Sequence, residues 1–395
     1  MATWTLLARA ADRSIVGVLS GYSLALTLRW NEVGSWRLDV PRESAPVGWP
    51  APGSGLIMLR DGQVVASGNW DEQTFTWSAD PGDQAAGQGI YTLAGDTDLA
   101  RLAYRTVYPD YLHAWTAQGN AYYADSGTGE SVLRNLVNRQ AGSNALTDRI
   151  VPGLHLGTAV GVGDTISIRE RFTPLLEAMR SAADLSGGLA FDVRDTLAAT
   201  QEFVVWQPVD RTETARFGVE LGNVASLEIR RTSPVATTAL VAGTEELVAR
   251  QTFEKSDAAA VTLWGRRELF VDQRQATDED WVPGDPPTAE QLAEYEKAAD
   301  EALAEQGEQF AVAAVTIDTP QLQWGRDYNL GDKVSVLTPF GPVDDLVRQV
   351  DITVDAGGVE DIRSTIGSND VASDDPLATT VRRLTSRISQ IERAL

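Results

Sequence analysis

Residues 22–41 read YSLALTLRWNEVGSWRLDVP and decide the fold that the sequence predicts. Apolar residues occupy every second position on both sides of the short segment Asn31–Gly34. Alternation with a period of two places these side chains on one face of a strand. The stretch therefore predicts an antiparallel strand pair with one buried face, formed by Leu24, Leu26, Leu28, Trp30, Trp36, Leu38 and Val40.

Further strands follow this pair. In LIMLRDGQVVASG, Asp61-Gly62 joins two apolar runs, and this dipeptide is typical of a tight hairpin turn. Short strands at 75–77 and 90–93 bring the total to about six. We expect residues 1–98 to form a first small β-barrel-like domain.

The next part of the chain mixes helices with strands. Residues 131–138 and 172–179 place apolar side chains three and four apart, as amphipathic helices do. The alternating run LAFDVRD at 189–195 then predicts a strand. Residues 99–220 are interpreted as an α/β insertion domain.

Strand patterns return after residue 220, in VASLEIRRT, TTALVAG, QFAVAAVTID and RQVDITV. One helix interrupts them over 288–307, where Thr288 and Gln291 have the spacing of a capping box and Gly307 ends the pattern. Residues 221–366 are predicted to form a second β-barrel-like domain, and the polar residues 367–376 a linker. The predicted fold class is a β-rich α+β protein with two small β-barrel-like domains, the insertion between them and a C-terminal coiled-coil helix.

Composition excludes several classes of function. The 395 residues carry a net charge of −23, so affinity for the nucleic-acid backbone, which needs clustered cations, is not expected. There is no cysteine, and therefore no disulfide, thiolate metal site or cysteine nucleophile. Neither a secretory leader nor an apolar run of 18 residues is visible, so we expect no export and no membrane anchor.

No constellation of catalytic residues stands out. His113 and His155 are the two histidines, and neither has a partner at metal-ligand spacing. The glycine-rich segments 125–131 and 157–165 lack the Gly-Lys-Ser/Thr ending of a phosphate-binding loop. Asp125 and Glu130 do not match the spacing of a calcium loop. The sequence thus predicts no enzyme activity and no cofactor. A pair of carboxylates that catalyses glycoside hydrolysis is the one alternative left, and only because acidic residues are numerous.

Two tryptophans are candidates for contact with a partner. Trp49 in VGWPAPG and Trp281 in DEDWVPGDPP lie in segments rich in proline and glycine, unlike the tryptophans of the strand patterns. The molecule that these two tryptophans contact is either a partner protein or a glycan.

The last 19 residues, 377–395, show an unbroken heptad alternation of apolar residues, with spacings of four and three. A helix this short needs partners, and isoleucine at both core positions of the last layers favours more than two strands. Arg387 and Glu392 lie where they could bridge neighbouring helices. We predict a trimeric coiled coil; the alternative is an amphipathic helix docked on its own chain. The predicted oligomerisation residues are Leu377, Val381, Leu384, Arg387, Ile388, Ile391, Glu392 and Leu395.

Three stretches together resemble a known family. They are W-N-x-x-G-x-W-x-L-x-V-P at 30–41, LARLAYR at 99–105 and YNLGDKV at 328–334. This combination resembles the baseplate hub or tail-associated proteins of long-tailed phages, most closely those of siphophages of actinobacterial hosts.

The resemblance implies a structural homotrimer in the virion, at the tail tip, assembled in the host cytoplasm. Two barrel-like domains per chain would give six similar units that adapt a sixfold tail tube to a threefold tip. Its partners would be the ring of distal tail protein and other tail-tip proteins, with DNA only passing through the bore. Family members carry lytic or adhesive domains after the hub, and we expect none before Leu395. The alternative functions are a cell-wall-degrading tail enzyme and a glycan- or receptor-binding tail module.

Overall fold

The computed structural model describes residues 2–80, 87, 89–243, 250–273 and 286–367. The chain divides into two compact units. Unit 1 comprises Met1–Leu227 and Ala314–Gly367, and the described part of unit 2 falls within Glu228–Ala313. The predicted linker after residue 367, the coiled-coil residues 377–395 and Trp281 lie outside the described residues.

Seven strands begin unit 1: β1 (Trp4–Arg9), β2 (Ile15–Leu19), β3 (Ser23–Arg29), β4 (Glu32–Pro41), β5 (Gly55–Arg60), β6 (Gln63–Thr76) and β7 (Ile90–Asp96). The predicted pair is confirmed as β3 and β4, which run antiparallel. Its buried face is also confirmed, because Leu24, Leu26, Trp36, Leu38 and Val40 are all buried, whereas Leu28 and Trp30 are half-buried. Asp61 and Gly62 both have positive φ and form the predicted tight turn between β5 and β6.

Helices and short strands follow in unit 1: α1 (Ala100–Ala103), β8 (Tyr123–Thr128), α2 (Gly129–Gln140), β9 (Leu154–Leu156), β10 (Thr165–Glu170), α3 (Leu175–Leu185), β11 (Ala190–Asp195), β12 (Gln201–Trp206) and β13 (Arg216–Gly218). The predicted helices are present as α2 and α3, although α3 begins at Leu175, directly after Pro174. Leu133, Leu136 and Met179 are buried in the apolar core of this region. The region therefore has a core of its own, as an amphipathic pattern predicts.

The chain enters unit 2 within β14 (Val224–Thr232). Unit 2 then contains β15 (Thr238–Ala242), β16 (Thr252–Ser256), α4 (Ala258–Trp264), β17 (Glu268–Asp272) and α5 (Ala289–Gln306). Strand β15 lies between β16 and β17, and α5 buries Tyr295 and Ala299 against Val241. The predicted capping box is confirmed, with Thr288 and Gln291 bonded reciprocally at the start of α5.

The chain leaves unit 2 within β18 (Gln309–Thr316), and unit 1 is completed by β19 (Lys333–Thr338), β20 (Gly341–Val354) and β21 (Glu360–Gly367). Among the described residues, the main sheet has 13 strands. Its order is β14-β18-β21-β20-β3-β4-β7-β6-β5-β1-β2, and β19 pairs with both β20 and β13.

This order confirms a β-rich fold and corrects the prediction of two separate β-barrel-like domains. Strand β20 pairs directly with β3, so strands assigned to the two predicted barrels form one sheet. The sheet curls far enough that Glu360 of β21 accepts hydrogen bonds from Trp4 of β1 and Arg60 of β5, at 2.7 and 3.0 Å. Side chains, and not a strand ladder, make this contact, and the described residues contain no closed barrel.

Candidate functional site

The turn between β3 and β4 fastens the part of unit 1 that contains α1–α3 and β8–β12 to the main sheet. We call this part the helical region. Asn31 adopts a positive φ of 53° and is buried. Its side-chain amide donates to the carbonyl of Leu189 at 2.8 Å, and its oxygen accepts from the amide of Phe191 at 3.0 Å. The side chain of Asn31 thus mimics a strand neighbour for the start of β11. Asparagine suits this position because it tolerates the left-handed conformation and offers both a donor and an acceptor.

A buried ionic cluster lies beside this junction. We call Arg9, Asp98, Asp195, Arg13 and Arg101 the Arg9 cluster. Arg9, the last residue of β1, has no exposed surface, and one of its terminal nitrogens contacts Asp98 and Asp195 at 2.7 and 3.0 Å. Its other terminal nitrogen contacts Asp98 at 3.0 Å, which makes the Arg9–Asp98 pair bidentate.

The Arg9 cluster connects parts of unit 1 that are distant in sequence. Asp98 lies between β7 and α1, and Asp195 is the last residue of β11. Arg9 also donates to Asn69 of β6 at 2.7 Å, and Ser67 donates to Asp98 at 2.5 Å. The guanidinium of Arg9 thus donates four hydrogen bonds, one to Asn69 within the sheet, two to Asp98 and one to Asp195, and the last three join the sheet to the start of α1 and the end of β11.

Electrostatics in the Arg9 cluster favour the ionised state of Asp98. Burial by itself would raise the pKa of this carboxyl, but the adjacent charge and hydrogen bonds of Arg9 bring it below its ordinary value. Burial lowers the pKa of Arg13 to about 10. Within the described part of the chain, the terminal nitrogens of Arg13 have no hydrogen-bond partner, and Asp98 is 3.9 Å away. Arg9 therefore neutralises this site together with Arg101, which donates to Asp98 at 3.2 Å, and Arg13 contributes only its more distant charge.

The segment YNLGD, which contributes to the family resemblance, makes packing contacts. Asp332 accepts hydrogen bonds from the amides of Val209 and Asn329 and from Arg211, at 3.1, 2.9 and 2.9 Å. Gly331 has a φ of 87°, and a Cβ there would lie 2.7 Å from the ring of Trp30. Gly331 forms the turn that precedes β19, and this turn brings Trp30 of the strand pair against the segment.

The glycine-rich loop at 157–165 is filled by the chain itself. The carboxylate of Glu130, in the first turn of α2, accepts hydrogen bonds from the backbone amides of Val160, Gly161 and Val162. Successive amides directed at one point form an anion-binding nest. Because Glu130 already occupies this nest, the loop is part of the packing of α2 and not an open phosphate site.

The other residues considered for chemistry are scattered. His113 contacts Asp110, three residues before it, at 2.8 Å on the surface, which corrects the expectation that this histidine has no partner at such a spacing. Asp125 contacts Arg139 at 3.4 Å. The described ranges contain no group of three or more histidine or acidic residues that could hold a metal ion. Within the same ranges, no helix combines the length and the apolar character that crossing a membrane requires.

Trp49 is buried, although the sequence predicted that it contacts a partner. Its ring is only 5% exposed, and its indole nitrogen donates to the carbonyl of Gly55 at 3.3 Å. Because the ring is buried and its N–H is bonded within the fold, as buried indoles usually are, the structure gives Trp49 a packing role. This corrects the expectation of partner contact at Trp49; the corresponding prediction for Trp281 falls outside the described residues.

A cleft of about 840 Å³ opens in unit 1 between the strand pair and β11–β12. Asp192, Arg194 and Trp206 line it, and the guanidinium of Arg194 lies 4.7 Å from the centre of the Trp206 ring. Burial raises the pKa of Asp192 to about 6, in spite of the neighbouring charge of Arg194. Near neutral pH the folded protein thus holds a carboxylate that water would solvate better.

We expect the substitution Asp192→Asn to stabilise the protein at pH 7.5 and not at pH 4. Because folding raises this pKa, the contribution of Asp192 to stability is complete below pH 4 and is lost as the pH rises through about 6. Asparagine avoids this loss, and the half-buried position suggests a gain of about 1–2 kcal/mol in the free energy of unfolding at pH 7.5. Urea denaturation at both pH values measures the difference.

The matched control is Asp361→Asn on the exposed face of β21. We expect it to change stability by less than about 0.5 kcal/mol at either pH. If Asp192→Asn gave the same change at pH 4 as at pH 7.5, its effect would be one of packing and the assigned pKa would be wrong.

Comparison with known proteins identifies similar sequences and folds. The sequence model of a family described as "Siphovirus ReqiPepy6 Gp37-like protein" matches residues 8–368. No curated protein matches the chain in sequence.

Two solved structures share the fold. The tail protein from Neisseria meningitidis MC58 is 12% identical, with a TM-score of 0.50, over 93% of this chain and 98% of that chain. The 43 kDa tail protein of prophage MuSo2 from Shewanella oneidensis is 13% identical, with a TM-score of 0.50, over 94% of this chain and 99% of that chain. Since the alignments span nearly both chains, the likeness concerns the complete fold and not one domain.

Proposed function

Because the chain belongs to the family of Siphovirus ReqiPepy6 Gp37-like proteins, we propose that it is a structural protein of a phage tail, located in the virion at the tail tip. The observation that carries this proposal is the family match over residues 8–368. The fold shared with two solved tail proteins supports it.

The use of the motif residues also supports a structural role. Asn31, Gly331 and Asp332, which lie in the stretches that resemble tail proteins, make packing and backbone contacts within unit 1. Glu130 fills the glycine-rich loop in the same way. These residues serve contacts within the fold, which favours a structural role, and we assign the chain no enzymatic activity.

In finer detail, we propose a homotrimeric hub that adapts a sixfold tail tube to a threefold tip. Its partners are the distal tail protein ring and other tail-tip proteins, and DNA passes through its bore. The heptad pattern of residues 377–395 supports the trimer. The net charge of −23 supports the bore, because an acidic lining repels the DNA backbone and keeps it from binding during passage.

Electron microscopy of particles of the phage that encodes this chain tests the location. Gold-labelled antibodies raised against the purified chain are expected to mark the end of the tail distal to the head. Antibody that has been absorbed with the purified chain is the control. Label along the tail tube or on the head, or absence of the chain from purified particles, would contradict the proposal.

The structural assignment also predicts that the purified chain leaves suspensions of host cell walls turbid. A fall in turbidity that follows the chain through purification would support the alternative of a cell-wall-degrading tail enzyme.

A further inference from the structure

The cleft between the strand pair and β11–β12 is lined by the face of β11 that points away from the core of the helical region. Phe191 and Val193 pack in that core, so Asp192 and Arg194, which alternate with them, lie on the opposite face and line the cleft. Trp206 of β12 lies on the same face. The cleft volume of about 840 Å³ falls within the range of small-molecule sites, about 300–1,000 Å³.

Two tryptophans that line the cleft have indole N–H groups without an acceptor in the described part of the chain. They are Trp324, which is only 7% exposed, and Trp30. A buried N–H group that lacks an acceptor is costly, and such groups are rare in folded proteins. The acceptor for each of these two donors must therefore come from outside the chain.

The two charged groups of β11 in the cleft are held in place but form no ion pair with a described residue. The ring of Trp206 orients the guanidinium of Arg194, which stacks on it. The carboxylate of Asp192 accepts a hydrogen bond from the amide of Val193 at 2.7 Å. Because burial raises the pKa of Asp192, the fold keeps this carboxylate ionised near neutral pH at a cost to stability. Such groups are concentrated at functional sites.

These features disfavour several classes of ligand. An apolar ligand would leave the indole donors and both charged groups unbonded. A simple anion would meet the charge of Asp192, and a simple cation that of Arg194. A peptide added as a strand would need free backbone groups along β11. The amides of Phe191 and Val193 are already bonded, to the side chains of Asn31 and Asp192.

We propose that this cleft binds a neutral oligosaccharide. A sugar hydroxyl both donates and accepts hydrogen bonds. One such ligand can therefore accept from the indoles of Trp30 and Trp324 and from Arg194, while it donates to the carboxylate of Asp192. It needs no net charge, because the charges of Arg194 and Asp192 are opposite. This binding activity goes beyond the structural role of the chain and does not depend on the homotrimer.

Isothermal titration calorimetry of the full chain with neutral trisaccharides tests the proposal. The sugars are triacetylchitotriose, maltotriose and galactotriose, each titrated to millimolar concentration at pH 7.5. At least one of them is expected to bind. Asp192→Asn and Arg194→Gln are each expected to weaken that binding at least tenfold, because hydrogen bonds to ionised groups are the stronger ones.

Unfolding cannot account for weaker binding by Asp192→Asn, since this variant is expected to be more stable than the native chain at pH 7.5. The matched controls are Asp361→Asn and Arg363→Gln, which remove the same charges from exposed positions of β21 outside the cleft. Both controls should bind the sugar as the native chain does. Binding that Asp192→Asn and Arg194→Gln leave unchanged would place the sugar elsewhere and overturn the assignment to the cleft.

Two further titrations test other ligand classes. They use acetyl-trialanine amide, a neutral peptide, and sialyllactose, an acidic trisaccharide. If the peptide bound and the neutral sugars did not, the cleft would be a peptide site and the proposal would be wrong. Binding of sialyllactose alone would contradict a neutral ligand. If none of these compounds bound, water would be the acceptor for the indole donors and the proposal would fail, whatever the oligomeric state of the chain.

Discussion

Replacing Arg9 by methionine is expected to lower the free energy of unfolding by about 3–5 kcal/mol. The change leaves the buried carboxylate of Asp195 without its ion-pair partner, and Asp98 with Arg101 in place of its bidentate bond to Arg9. It also removes the bond from Arg9 to Asn69. Urea denaturation monitored by tryptophan fluorescence measures the loss.

A matched control exists on the surface of unit 1. Arg363 contacts Asp361 at 3.1 Å, and both side chains are more than half exposed. Arg363→Met is expected to cost less than about 1 kcal/mol, as exposed ion pairs do. Adding Asp195→Asn to Arg9→Met should recover part of the lost stability, because the carboxylate left without its ion-pair partner is then removed. Equal losses for the two methionine variants would show that the Arg9 cluster does not fasten the helical region to the sheet.

The paired substitution Ile388→Asp and Ile391→Asp is expected to weaken association of the chain at least a hundredfold. In the predicted trimer, each helix would bury two unpaired charges at core positions, and every tenfold loss of affinity corresponds to about 1.4 kcal/mol. The domains before residue 367 should keep their stability. Light scattering across a concentration series measures the association, and denaturation measures the stability.

The control for the terminal segment keeps the added charge and changes its position. Ser389→Asp with Gln390→Asp places two carboxylates outside the predicted core positions. This variant is expected to associate far more strongly than the isoleucine variant. If both variants kept the full oligomer mass, the terminal segment would be secondary to contacts between the sheets.

The local elements of the fold could be predicted from the sequence. The alternation in residues 22–41 predicted β3 and β4, and the dipeptide Asp61-Gly62 predicted the turn between β5 and β6. These features depend on residues that are close together in the sequence. The capping box at Thr288 and Gln291 predicted the start of α5 for the same reason.

The arrangement of the sheet could not be predicted in this way. Alternation shows which face of a strand is buried, but it contains no information about the strand beside it. Strands β3 and β20 are neighbours, and Thr27 donates to Asp351 across 324 residues at 2.7 Å. Two runs of strands that each suggested a barrel therefore belong to one sheet.

The Arg9 cluster was missed for a related reason. Arg9 lies 89 residues from Asp98 and 186 residues from Asp195 in the sequence. Each of the three residues has an ordinary sequence context. Asn31 gave a partial signal, since an asparagine in a turn was visible, but its bonds to Leu189 and Phe191 were not. Buried polar contacts of this kind depend on tertiary structure, which a single sequence does not reveal.

The mass of the full-length chain in solution tests the proposed hub most directly. Size-exclusion chromatography with multi-angle light scattering, at micromolar concentration, is predicted to give three times the chain mass of 42.6 kDa. A single species at the mass of one chain, or at twice that mass, would contradict the threefold hub.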